Sequence, residues 1–523
     1  MGLEKPNKQK IKNHIYPSDS RLLLPKGFVS ESKKTFTKNL KTVAVIGSGW
    51  SGFEAALAFC EAGYIVTIFE QGEDLVPTAA NSSKYTGRTH IEGFHYPRSA
   101  TTRMHCRSDY DLFIEKHAAV LVPNRNSYYG LVKRDGEGNK PKINLKQFHQ
   151  MRKTSTKKIT LIKLKKSNLL TDDFQEVFSV EEPGVKNGQA LREYFRDTLM
   201  SKNIKAFKNM EVLDIYKEGD KFKMRLHNKL MKNSEPFDSV EFDHIVNATG
   251  FRSNIPKDFS NNPLGITLIY QPVVGLRFED TKSERGEFSM LALDGANPCL
   301  MYNGVDPNTG KAMYTMTDAA STILMTCKSS EDAWRLLQML PPNFVECEVL
   351  PIALSHMRTF IKRFSDRFKF IGYNEGVIAK PVSRSEIRTS FCFTFDGIAH
   401  IFPGKMSNAG PVAKELVKLI SGKNENVKQI GAYSFLEGGR LAEAFEEIKD
   451  LPDGKEHNTC FTSPYDELNR LVSTTYLTYS KNPGIFWHNS NDSYDTRNSR
   501  HNKEKSGSED LSNRITNFSF NRS

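Results

Sequence analysis

The segment Gly47-Ser48-Gly49-Trp50-Ser51-Gly52 carries three glycines at the spacing of a bend that binds a diphosphate. The chemistry asks for glycine at each point. Gly47 permits a tight turn, Gly49 lets backbone approach the phosphates, and Gly52 lets a helix pack closely on the preceding strand. The flanking sequence suits that use. Residues 42–46 (TVAVI) predict a buried parallel strand, 53–62 (FEAALAFCEA) predict a helix, and Gly63 ends it before a second strand at 64–69. An anion would then rest at the helix N-terminus, where free amides and the helix dipole favour negative charge. Glu70, 23 residues after Gly47 and followed by Gln71, is placed to accept hydrogen bonds from a ribose and to repel a 2′-phosphate. The pattern predicts FAD or NAD.

Two later stretches bear on the choice between them. Residues 242–250 (FDHIVNATG) read as a strand closing on Ala248-Thr249-Gly250, and no second G-x-G-x-x-G occurs. Gly404-Lys405-Met406-Ser-Asn-Ala-Gly410 is a glycine-bounded loop leading into a helix at 411–420. Such a helix N-terminus can face the pyrimidine edge of a flavin, and Lys405 adds a formal positive charge there.

Residues 81–102 (NSSKYTGRTHIEGFHYPRSATT) are the most chemically dense stretch. His95 and Tyr96 are candidates for touching a substrate or taking its proton, since histidine titrates near neutral pH; a packed aromatic–proline turn is the other reading. Arg88, Arg98 and Arg103 offer forks of donors for phosphates or a substrate carboxylate, or else lie on the surface. Arg384 and Arg388 in PVSRSEIR form a second candidate clamp. Asp294 and Asp396 precede glycines and read as turn formers.

The elements that must position these groups suggest an order along the chain. Residues 1–40 read as a basic leader. Residues 41–105 and 186–260 read as two parts of a nucleotide-binding domain, separated by a mixed segment at 106–185 that belongs to a substrate or cap region. Strand-like runs then suggest a substrate domain at 261–390, and residues 391–425 supply a closing strand, loop and helix. A C-terminal extension at 426–487 precedes a polar tail at 488–523 that is expected to be disordered.

Composition narrows the class. The 523 residues carry 73 Lys and Arg against 61 Asp and Glu, a net charge of +12, and 38% are apolar. Wholesale disorder, a collagen-like repeat and a small disulfide scaffold are excluded. The basic excess is local: residues 1–41 hold ten cations against three acids, and residues 151–170 hold seven against none. No specific nucleic-acid motif accompanies them, which leaves a solvated surface or a peripheral contact with an anionic surface. Seven widely spaced cysteines without C-x-x-C suggest reduced thiols and a cytoplasmic setting. No apolar run approaches a membrane span, no apolar signal core opens the chain, and no metal-ligand spacing appears.

The stretch VAVIGSGWSGFEAALAFCEAGYIVTIFE, with IVNATG and the terminal glycine loop, resembles the D-amino-acid-oxidase-like superfamily of FAD-dependent oxidoreductases. The resemblance runs from about Lys41 to Gly422. It implies an α/β fold: a doubly wound, Rossmann-like FAD-binding domain interrupted by a mixed-sheet α+β substrate domain. It also implies that Val212 meets the adenine through its backbone, that Ala248-Thr249-Gly250 passes the diphosphate, and that the loop with Arg88, Thr89 and His90 runs along the flavin. That loop is similar to the H-x-G-x-x-Y-P stretch of L-2-hydroxyglutarate oxidase-like members, with one extra residue before Gly93. In some relatives a histidine of this loop is bonded to the flavin. The implied activity is oxidation of a C–N or C–OH bond of a small amino or hydroxy acid by hydride transfer to flavin N5, with Arg384 on the substrate carboxylate and O2 or another acceptor taking the electrons. Ser51 also resembles the G-x-G-x-S-G of flavin monooxygenases, which normally carry a second motif for NADPH. A nucleotide-binding interaction protein without redox turnover is the remaining alternative.

Overall fold

The computed structural model describes residues 40–75, 92–186, 188–231, 235–250, 266, 268–282, 286–306, 308–383, 385–422, 426–448, 463–465 and 468. The chain divides into two units, Met1–Leu40 and Lys41–Ser523. Of the first, only Leu40 is described, so all that follows concerns the second. The expected basic leader and polar tail lie outside the described residues.

The glycine-rich bend sits between β1 (Thr42–Ile46) and α1 (Trp50–Glu61). β1 is buried along its last four residues because it has a strand on each side. β2 (Ile65–Phe69) pairs parallel with it, Val43 opposite Val66 and Val45 opposite Ile68. α1 is buried almost all round, and Glu54 in its middle is held inside by Lys116 Nζ at 2.6 Å and His117 Nε2 at 2.9 Å. Burial pushes the Glu54 carboxyl up, but its hydrogen bonds to His117 and Lys116 and the Lys116 charge outweigh it and leave the group below its ordinary range.

Along the chain, α2 (Ala100–Lys116) leads to β3 (Leu121–Val132), α3 (Leu145–Lys153), β4 (Ile159–Leu161) and β5 (Phe174–Val185). α4 (Gln189–Ser201) and β6 (Lys205–Phe207) return to the first sheet. β7 (Met210–Glu218), β8 (Lys221–Asn228) and β9 (Phe237–Asp238) form a small antiparallel sheet before β10 (His244–Asn247). β11 (Leu268–Asp280), β12 (Phe288–Leu293), β13 (Pro298–Val305) and β14 (Ala312–Asp318) precede α5 (Ser330–Gln338), α6 (Leu350–Phe360), α7 (Phe364–Arg367) and β15 (Phe368–Pro381). The chain then makes β16 (Phe391–Phe395), β17 (Ile398–Phe402), α8 (Ala409–Ile420), β18 (Val427–Ile430), β19 (Tyr433–Leu436) and α9 (Arg440–Ile448).

The first sheet runs β18-β19-β16-β17-β10-β1-β2-β6. β17, β10, β1, β2 and β6 are parallel, and β16, β19 and β18 extend them antiparallel. Apolar residues of α1, α4 and α8 pack on one face, with Phe53 and Phe195 stacked at 3.8 Å. The three-stranded sheet covers the other through Ile215, Met224 and Leu226. The second sheet runs β15-β11-β14-β13-β12-β3-β5-β4 and is antiparallel except where β12 meets β3. Its alternate residues Leu276, Phe278, Met290 and Tyr314 pack with α5 and α6. Parallel nucleotide-binding strands interrupted by a mixed sheet are the architecture the sequence predicts. β3, β4 and β5 arise from residues 106–185 and join the mixed sheet, while β18 and β19 lie past residue 425 and join the parallel one. Among the described residues no helix is long and apolar enough to cross a membrane.

Candidate flavin and substrate site

The bend is built from backbone. Gly47 adopts φ +95, and a Cβ there would come within 2.8 Å of the Ala248 carbonyl oxygen. A Cβ on Gly52 would lie 1.9 Å from the Gly47 carbonyl oxygen, so strand and helix meet without room for a methyl group. At Gly49 the reverse holds: a Cβ would meet nothing within 4 Å. Gly49 caps α1, and among the described residues no side-chain cap bond is made there. An open face beside uncapped amides fits a diphosphate, whose charge those amides and the helix dipole favour. Glu70 is buried over the same bend, where Oε2 accepts from Ser48 N and Ser48 Oγ, both at 2.8 Å, and Oε1 accepts from Gly72 N at 2.8 Å. Ala248 N donates to Ile46 O at 2.9 Å, and Thr249 Oγ1 to Asn247 Oδ1 at 2.7 Å, so Ala248-Thr249-Gly250 passes beside the bend.

Other residues of the motif face elsewhere. Trp50 points into the core, against His117 at 4.9 Å and Phe195 at 5.1 Å. Ser51 and Gln71 are half-buried. Val212 is buried between β7 and the first sheet.

A second corner is built from side chains. Lys405 Nζ lies 2.8 Å from His95 Nε2 and 4.3 Å from the centre of the Tyr96 ring, and the His95 and Tyr96 rings are 4.1 Å apart. An ammonium has only donors, so Nε2 of His95 accepts and its ring proton sits on Nδ1. Met406, next to Lys405, packs on the apolar side of the first sheet. Gly404 is required here: a Cβ would lie 2.3 Å from Ser390 N and 2.4 Å from the Thr389 carbonyl carbon. The loop before α8 therefore rests backbone on backbone against residues 388–390.

The arginines divide by their partners. Arg103 Nη1 donates to the carbonyls of Tyr96 at 2.8 Å and Pro97 at 2.5 Å and so closes the His95-Tyr96 turn. Arg98 Nε meets Asp294 Oδ1 at 2.9 Å and its Nη2 meets Glu386 Oε1 at 3.0 Å. Asp294 and Asp396 take φ +63 and +48, as turn-forming aspartates can. Arg388 lies near Lys380, a strand residue for which the sequence offers no signal. Among the described residues neither cation has a carboxylate within ion-pairing distance. Burial, then Arg388, push Lys380 down to about 8; Glu386 opposes them, while Arg98 and Lys142 add to the fall. Arg88, Thr89, His90 and Arg384 lie outside the described residues. Among the described residues no group of three or more His, Cys, Asp or Glu is placed to hold a metal.

No family model matches the chain. It is 29% identical over 432 residues to the FAD-dependent monooxygenase kojA of Aspergillus flavus, covering 82% of this chain and 97% of that one. A shorter match, 34% over 87 residues, joins 16% of the chain to 23% of the FAD-dependent monooxygenase FPY4 of Fusarium mangiferae. Among solved structures, a variant of NikD, described as an unusual amino acid oxidase essential for nikkomycin biosynthesis, aligns with TM-score 0.53 at 10% identity, over 75% of this chain and 96% of that one. Glycine oxidase from Bacillus cereus aligns with TM-score 0.52 at 14% identity, over 74% and 98%. At these identities the likeness to the two oxidases is one of fold, shared over about three quarters of the chain. Both curated relatives are described as dependent on FAD. The open bend, the buried acid above it and the cationic loop before α8 form a donor set that fits this group.

Proposed function

We propose that this oxidoreductase oxidises a C–N or C–OH bond of a small carboxylate-bearing amino or hydroxy acid, and that O2 or another acceptor removes the electrons. When bound, FAD supplies the two-electron acceptor at N5. The chain binds, orients and handles protons. The amides at Gly47–Gly52, with the Ser48 and Ser51 side chains, hold the diphosphate; Glu70 and Gln71 hold the ribose, and Val212 and Ala248-Thr249-Gly250 flank the adenosine diphosphate. Arg88, Thr89 and Met406 complete the cofactor contacts. Lys405 and the N-terminus of α8 favour negative charge along the flavin's edge. Arg388 and Lys380, which have no ion-paired carboxylate among the described residues, take the substrate carboxylate with Arg384. His95 and Tyr96 face the reacting bond, with His90 on the preceding loop. The hydrogen bond between Lys405 and His95 holds both side chains in place beside that bond.

The observation that carries this reading is the 2.8 Å approach of Lys405 to His95, which joins the cofactor-facing loop to the substrate-side turn. The test is a visible spectrum of the purified protein, then anaerobic bleaching with a panel of amino and hydroxy acids. Bleaching by at least one supports the reading. A flavin that no amino or hydroxy acid reduces overturns it.

One observation favours a second reading, an NADPH-coupled monooxygenase: the likeness to kojA spans 97% of that protein. Rapid bleaching by NADPH without organic substrate would select it. The free thiols of Cys60, Cys106, Cys299, Cys327, Cys347 and Cys392 support placement in a reducing, cytoplasmic compartment.

A further inference from the structure

α9 buries Leu441, Ala444 and Ile448 in the core, and it also aims its polar residues at the site. Arg440 Nη2 donates to Asp109 Oδ1 at 2.8 Å, and Glu443 bonds His105 Nε2. Glu447 accepts from Thr101 N at 2.7 Å, from Ser99 Oγ at 2.8 Å and from Ser385 Oγ at 2.5 Å. As α9 advances by three and four residues, its partners on α2 retreat by four, from Asp109 to His105 to Thr101. The two helices therefore lie antiparallel with matched polar rungs.

Two rungs continue to the loop before α8. Asp109 Oδ2 accepts from Asn408 Nδ2 at 2.8 Å. His105 Nδ1 lies 2.5 Å from Thr389 Oγ1, on the segment against which Gly404 is pressed. His105 and Asp109 are buried; Glu443 is 40% exposed, whereas Arg440 and Asp109 are both shielded, so theirs is the rung that water replaces least cheaply. Burial, then Arg440, hold His105 below its ordinary value, against Glu443 and Asp109. A neutral ring has one donor and one acceptor, and both are used: Nε2–H donates to Glu443 and Nδ1 accepts from Thr389.

We propose that the C-terminal helix α9 is part of the cofactor site, with Glu443 (through His105 and Thr389) and Arg440 (through Asp109 and Asn408) as positioning residues that fix the loop 404–408 against the flavin. This assignment rests on the flavin reading and goes beyond it in giving the C-terminal helix a role. Losing either rung lets the loop relax, so the cofactor is held less tightly and its pyrimidine edge meets a different field.

The test uses full-length Glu443→Leu, Glu443→Gln and Arg440→Met proteins. It measures the FAD dissociation constant by fluorescence, the spectrum of bound flavin, and the melting temperature of flavin-free protein. Glu443→Leu and Arg440→Met should each weaken FAD binding about tenfold or more and shift the long-wavelength flavin band, the size expected for one buried charge-assisted bond. Glu443→Gln keeps an acceptor and should recover most of the loss. If the parent binds FAD while the variants bind it within about twofold with an unchanged spectrum, even though they melt earlier, α9 only packs the core and the proposal falls. Should Glu443→Leu fail to fold, Arg440→Met decides on the same criterion. A parent chain that never binds FAD would overturn the flavin reading itself, and this assignment with it.

Discussion

The bend at Gly47–Gly52 and the corner at His95, Tyr96 and Lys405 are built by opposite means. The bend is made of main chain within a single β1–α1–β2 unit. Its tolerances are set by where a Cβ fits, as at Gly47 and Gly52, and where one is left open, as at Gly49. The corner is made of side chains, with partners 310 residues apart in the case of Lys405 and His95. It exists only when two sheets and their connecting loops are in register. A backbone site can fail without unfolding the protein, or unfold it without being touched by ligand, depending on which glycine is changed. A side-chain site fails by degrees.

The largest effect should follow Gly49→Leu. The side chain enters the open cradle, so FAD affinity should fall by about a thousandfold or more while the melting temperature of flavin-free protein stays near the parent's. A yellow, fully flavinated Gly49→Leu protein would remove the bend from the cofactor site. Gly52→Ala should behave oppositely. Overpacking against the Gly47 carbonyl should cost about 3 kcal/mol of stability in denaturant titration, with or without FAD. At the corner, Lys405→Met should leave FAD bound but slow flavin reduction by substrate about a hundredfold, read by stopped flow. An unaltered rate would separate the ammonium from the chemistry.

Lys380 gives a pH signature. It is charged below its value of about 8 and loses its proton as pH rises through it, so kcat/KM for an acidic substrate should fall on that alkaline limb. Lys380→Arg, which keeps the charge, should move the limb upward, and Lys380→Met should lower kcat/KM about tenfold at neutral pH. The smallest effect lies in the sheet beneath. Burial holds His400 at about 3, whereas an unfolded histidine titrates near 6.5. Between those values the unfolded chain binds the extra proton, so stability falls as pH drops through that window. His400→Phe, in a ring already stacked 5.2 Å from Phe393, should flatten that part of the stability–pH curve.

What could be read beforehand follows the same division. Glycine spacing, a β-branched run and an acid at the end of the next strand are local, and the β1–α1–β2 unit obeys them residue by residue. The Lys405 loop was legible for a related reason: a glycine-bounded turn before a helix is a local pattern. Local patterns do not say where a side chain goes. Trp50 stands inside the motif yet fills the core, because a large indole beside Phe113, His117 and Phe195 gains more by burial than by facing a ligand. Arg98 and Arg103 read as free anion forks from their types, but Asp294, Glu386 and two carbonyls claim them. Lys380 gave no signal, since its burial beside Arg388 comes from tertiary packing. α9 looked like an extension past the last helix. Its role depends on rungs to α2 that only tertiary packing brings together.

The mixed sheet ends at β4, three residues long, whose outer backbone groups have no strand beside them among the described residues. Leu161, half exposed, sits on that rim, and Lys157, Lys158, Lys163, Lys165 and Lys166 surround it. A bare edge of this kind is where one molecule can zip onto another, and like charges facing each other across the gap oppose it. The acid-free stretch thus acts as electrostatic insulation against aggregation. Its range is that of salt screening, about 8 Å at physiological ionic strength, so concentrated salt should strip it away and leave the rim sticky.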